Sequence, residues 1–239
     1  MTICNNCSQP ISDKFCGNCG EAAQLKRIDG RYVRHEIEHI LHLEKGIGYT
    51  VKALFMHPGA SVRTFISQNR SRLVKPIIFI IITSLIYSVI SHAVHIDKTD
   101  KVIEKINLPA TKFLLDWVNH HMGYANILMG ISIALWLKLF FNKSGYNFFE
   151  ILILLCFIMG IGMLLLSVFS LVEAFFHLQV TEISKVAIFI YCAWAIGQFF
   201  NPRKIGSYLK ALAAYTLGAF VFYFILTFAG LMIDMLILR

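Results

Sequence analysis

The chain has 239 residues, 57% of them hydrophobic and only 15% charged, against about 45–50% and about 25% for a globular domain in water. A surplus that large must face something other than water, which excludes an ordinary soluble domain. The formal net charge of +8 does not point to nucleic acid, because the basic residues crowd the polar head and the short stretches between apolar runs, where orientation in a bilayer would place them.

At the N-terminus, Cys4-Asn5-Asn6-Cys7 and Cys16-Gly17-Asn18-Cys19 form two CxxC pairs. The two-residue gap lets both sulfurs of a pair point at one ion, and Gly17 and Gly20 ease the turn. Four thiolates fill a tetrahedral site and leave no position open, so Cys4, Cys7, Cys16 and Cys19 are expected to hold a structural Zn²⁺, with iron as the rival metal. No secretory signal precedes the cysteines, so the head is expected in the reducing cytosol, where such pairs read as metal ligands rather than disulfides. Residues 1–24 are therefore read as a zinc ribbon that makes a protein contact. Its few basic and aromatic side chains, Lys14 and Phe15, make nucleic acid an unlikely partner.

Residues 25–75 are read as amphipathic and interfacial helices. Val33, Ile37, Ile40, Ile47, Val51, Leu54 and Phe55 recur at helical spacing, which predicts one helix over Arg31 to Met56; Glu44 falls near this stripe, which calls for either a bend at Glu44-Lys45-Gly46 or a partner for Glu44. His35, His39 and His42 fall on its other face. The plain reading is a solvated polar face; a second metal site is the alternative. His57-Pro58-Gly59 ends the helix. Val62, Phe65 and Ile66 then form a stripe among Arg63, Arg70, Arg72 and Lys75, which predicts a helix resting on anionic lipid headgroups.

Residues 76–239 are read as an all-α membrane domain. A crossing needs roughly 20 mostly apolar residues, and five segments qualify: 76–94, 124–141, 148–172, 183–200 and 208–238. Backbone groups cannot go unpaired in lipid, so these must be helices. Val102, Ile103, Ile106, Phe113, Leu114 and Trp117 suggest a surface-lying segment between the first two. Up to Lys75 the chain carries eleven Lys and Arg against six Asp and Glu. Lys138, Lys143, Arg203, Lys204 and Lys210 fall on the same side, which puts the N-terminus in the cytosol and Arg239 outside.

Polar groups inside spans are the usual pointers to a path. Glu150, Lys138 and Glu173 lie near span ends. Asp234 is either an interfacial carboxylate, the plainer reading, or a proton or cation ligand. Gly160 with Gly162, and Ala214 with Gly218, read as close helix contacts.

The CxxC ribbon, then Glu44-Lys45-Gly46, Thr50, Leu54, Pro58-Gly59, Arg70 and Lys75-Pro76, resembles an uncharacterised bacterial family of multi-pass membrane proteins with an N-terminal zinc ribbon, a domain of unknown function. This chain has Asn69 where that family often has glycine. The resemblance implies a bacterial inner-membrane protein and assigns no activity. The Pro-Gly break leading to five spans is also faintly similar to the Yip family of membrane proteins. Three functions are weighed. The first is a non-enzymatic scaffold or regulator. The second is a transporter or channel using Asp234, Glu150 or Glu173. The third is a lipid-acting enzyme built on His92, His95, His120, His121 and His177.

Overall fold

The computed structural model describes residues 2–3, 9–11, 17–18, 46–68, 70, 72–94, 108–176 and 180–237. The chain divides into two compact units, Met1–Glu44 and Lys45–Arg239. In the first, two two-residue strands, β1 (Thr2–Ile3) and β2 (Pro10–Ile11), pair antiparallel with Thr2 opposite Ile11 and Ile3 opposite Pro10. A turn lies at 17–18.

The second unit is helical throughout its described length. It runs α1 (Gly46–Met56), α2 (Pro58–Ser67), α3 (Pro76–Ala93), α4 (Pro109–His120), α5 (Met122–Phe140), a 3-10 turn (Asn142–Ser144), α6 (Phe148–Phe176), α7 (Thr181–Phe200) and α8 (Ile205–Ile237). Proline stands at the first helical position of α2, α3 and α4, where its missing N–H costs nothing and its fixed φ suits the helix. Five helices, α3, α5, α6, α7 and α8, are long and apolar enough to cross a membrane. Their bounds fall within three residues of the expected spans at every end but one, since α6 continues to Phe176.

The central crossing is α6. Of its most apolar stretch 67% is buried, against 11% for α8, so α6 is enclosed by the other helices and α8 lies at the periphery. α6 packs against α3, α5 and α7, while α8 lies across α5 and α7 and meets α4. Phe220, Phe224 and Phe228 on α8 are more than half exposed and form a stacked row. In water such a face would be an aggregation site; in a bilayer it is ordinary. Gly218 of α8 lies against the Ile133 backbone and Gly160 of α6 against the Phe79 ring, so both act as close helix contacts.

α1 begins at Gly46, whose φ is +76°, so the bend expected at Glu44-Lys45-Gly46 coincides with a residue in the left-handed region, which interrupts a right-handed helix. Residues 31–45, which hold the rest of the expected helix, lie outside the described ones. One expectation changes: the stripe on α2 faces protein rather than headgroups. Val62 and Phe65 are buried, and the Phe65 ring meets Phe157 of α6 edge-on at 5.2 Å. Both α1 and α2 thus pack into the membrane unit, with Leu54 fully buried and α2 lying along α7.

Candidate functional site

Cys4, Cys7, Cys16 and Cys19 lie outside the described residues, as do His35, His39, His42, His95 and His177. Among the described residues of that unit, Ile3 is paired with Pro10 and a turn lies at Gly17 and Asn18.

In the membrane unit, three charged groups flagged as path candidates have structural partners. Asp234, in α8, is 2% exposed and is the only buried charged side chain among the described residues. Its Oδ1 accepts from the Ala110 N–H at 2.7 Å. Its Oδ2 accepts from the Thr111 N–H at 3.0 Å and the Thr111 hydroxyl at 2.8 Å. Ala110 and Thr111 are the second and third residues of α4, whose first N–H groups have no partner within the helix. A carboxylate from one helix therefore caps another, aided by the positive end of the α4 dipole. Four residues earlier, Gly230 lets the Thr111 backbone approach, since a Cβ there would lie 2.6 Å from the Thr111 Cα.

Glu150 is also a cap. Its Oε2 accepts from the Asn147 N–H and its own N–H donates to Asn147 Oδ1, each at 2.8 Å, a reciprocal capping box at the start of α6. Lys138 reaches back to donate to the Tyr146 carbonyl at 2.6 Å, the snorkelling expected of a lysine at a span end. His120 and His121 bond the backbone carbonyls of Asp116 and Trp117 in their own α4 turn. No group of three or more His, Cys, Asp or Glu within reach of one ion occurs among the described residues.

The densest polar construction is on the face where α3 begins. The Gly59 N–H donates to Gln198 Oε1 at 2.8 Å, and Arg63 Nη1 donates to the Gln198 and Phe199 carbonyls at 2.6 and 2.7 Å. Those are among the last carbonyls of α7, which no helical N–H can satisfy, and a guanidinium complements the negative end of the dipole. Tyr191 Oη donates to the Leu54 carbonyl at 3.1 Å. Thr50, 1% exposed, accepts from the Val74 N–H at 3.1 Å through Oγ1 and ties α1 to the stretch entering α3. Replacing Thr50 by valine keeps the shape but leaves that buried N–H unpaired. A loss of about 1–3 kcal/mol is expected, read as a lower melting point of the full chain in detergent.

Helical spacing marked α1 and α2 but not their partner. Gln198 is a lone polar residue in an apolar run, and its role depends on a glycine 139 positions away.

The fold and these contacts define a multi-pass membrane protein with a separate N-terminal unit. The pattern of a family described as "Protein of unknown function (DUF3667)" matches residues 44–88. That stretch holds α1, α2 and most of α3, which includes Thr50, Gly59, Arg63 and Val74. Neither a curated protein nor a solved structure matches the chain.

Proposed function

We propose that this chain is a non-enzymatic membrane scaffold or regulator, whose N-terminal zinc ribbon contacts a protein partner in the cytosol. The observation that carries the reading is Asp234. The only buried charge among the described residues of the membrane unit serves as a helix cap, which gives the main candidate for a transport path a structural role instead. The zinc assignment is supported by the donor set, four cysteines in two CxxC pairs. A unit of about 44 residues has little core of its own, and bound zinc contributes on the order of 10 kcal/mol to comparable small domains.

The cytosolic assignment rests on charge. Lys143, Arg203, Lys204 and Lys210 share a face with Arg63, Arg70, Arg72 and Lys75, against Glu150 as the acid there among the described residues. The positive-inside rule turns that face toward the cytosol and the α4 face outward. The bacterial inner membrane follows from the family resemblance; the Yip similarity remains an analogy of topology.

The test is metal analysis of the full chain purified in mild detergent, with identification of what co-purifies. One zinc per chain is expected, lost in the Cys4→Ser/Cys7→Ser variant without loss of membrane insertion. Deleting the residues before Gly30 should remove a co-purifying partner. An unchanged partner set, or cysteines oxidised in pairs without metal, would count against the reading.

A further inference from the structure

A cavity of about 450 Å³ opens beside α1, α2 and the stretch leading to α3, with Tyr49, Lys52, Met56, His57, Thr64 and Arg72 on its wall. Its charge is one-sided: among the described residues of its wall, Lys52 and Arg72 are basic and none is Asp or Glu. Arg72 is pre-positioned: its Nε donates to Tyr49 Oη at 2.6 Å, and its guanidinium carbon lies 5.7 Å from the Tyr49 ring centre. Among the described residues, Lys52 and the two terminal nitrogens of Arg72 donate to no protein acceptor. A guanidinium held by one nitrogen with its fork free is set to receive a tetrahedral oxyanion, with less ordering cost on binding.

Depth narrows the choice of anion. The end of α1 lies beside α7, with Leu54 bonded to Tyr191 and the Phe55 ring stacked on it at 6.2 Å. Arg72, on the cavity wall, stands four residues before Pro76, where the α3 span begins, which sets that wall near the boundary of headgroups and acyl chains. Met56 on that wall is 56% exposed and adds an apolar edge beside Lys52 and Arg72.

We infer that this cavity binds a phosphate-bearing anion, supplied either as an anionic phospholipid headgroup or as free phosphate, with Lys52 and Arg72 as its ligands. The inference does not depend on the zinc head. It is tested with the full chain in phosphatidylcholine nanodiscs containing spin-labelled phosphatidylglycerol, with inorganic phosphate added in a second arm. Lys52→Gln and Arg72→Gln are each expected to weaken retention of the labelled lipid roughly tenfold, the size of one lost charge-assisted hydrogen bond. Both side chains are exposed, so neither change touches the core. Lys143→Gln, on the same face but outside the cavity, should leave retention unchanged. Lipid retained in the presence of phosphate identifies a headgroup site, and lipid displaced by phosphate identifies a site for the free anion as well. Equal losses in all three variants, or no preference for phosphatidylglycerol over phosphatidylcholine, overturn the inference.

Discussion

Replacing Asp234 by alanine is expected to loosen α4 from the end of α8 while all five spans stay inserted. The carboxylate satisfies two backbone N–H groups and a hydroxyl that are otherwise left in a closed contact. The change therefore removes several acceptor bonds at once and leaves the donors unpaired. Hydrogen exchange on the full chain reads this directly. The Ala110 and Thr111 amides should exchange roughly tenfold faster or more, with the core of α6 unaffected. Asparagine keeps one acceptor oxygen and should give an intermediate effect. A carboxylate that served a moving proton or cation would behave differently. The Asp234→Asn protein would lose a flux in proteoliposomes with its α4 amides unchanged, and that result would restore the transporter reading.

The second large effect is expected at Gly59. A Cβ there would stand 2.5 Å from the Gln198 carbonyl carbon and 2.6 Å from the Gln198 oxygen and the Phe199 nitrogen. All three are backbone atoms, which cannot swing aside as a side chain can. Gly59→Ala must lift α2 off α7, and with it the Gly59–Gln198 and Arg63 bonds. Overpacking of this kind costs about 1–3 kcal/mol, and the lost bonds add to it. Gly48 is the control, because nothing lies within 4 Å of a Cβ there and alanine favours a helix. A melting point that falls in Gly59→Ala and holds or rises in Gly48→Ala supports the close approach. Equal behaviour of the two would refute it.

The spans were legible because each is a local property: about twenty apolar residues must be helical in lipid whatever lies around them. Gly46 was legible only as a bend, since its left-handed φ is a choice glycine permits but does not dictate. The stripe of Val62 and Phe65 was read correctly as one face and assigned to the wrong surroundings. An apolar face looks the same in sequence whether lipid or another helix covers it, and Phe157, which meets Phe65, lies 92 positions away. Asp234 was open between two readings for the same reason: nothing near it in sequence names Thr111 as its partner.

Composition and periodicity by themselves determined that this is a helical membrane protein, how many of its described helices are long and apolar enough to cross a bilayer, and which four cysteines are the metal candidates. Those conclusions follow from solvation and from spacing within a few residues. Tertiary structure decided that α6 is the centre and α8 the periphery, that α1 and α2 belong to the membrane unit, and that Asp234 and Gln198 are fastenings. Such roles are set by which helix end meets which, and pairings across more than a hundred residues leave no periodic trace in the chain.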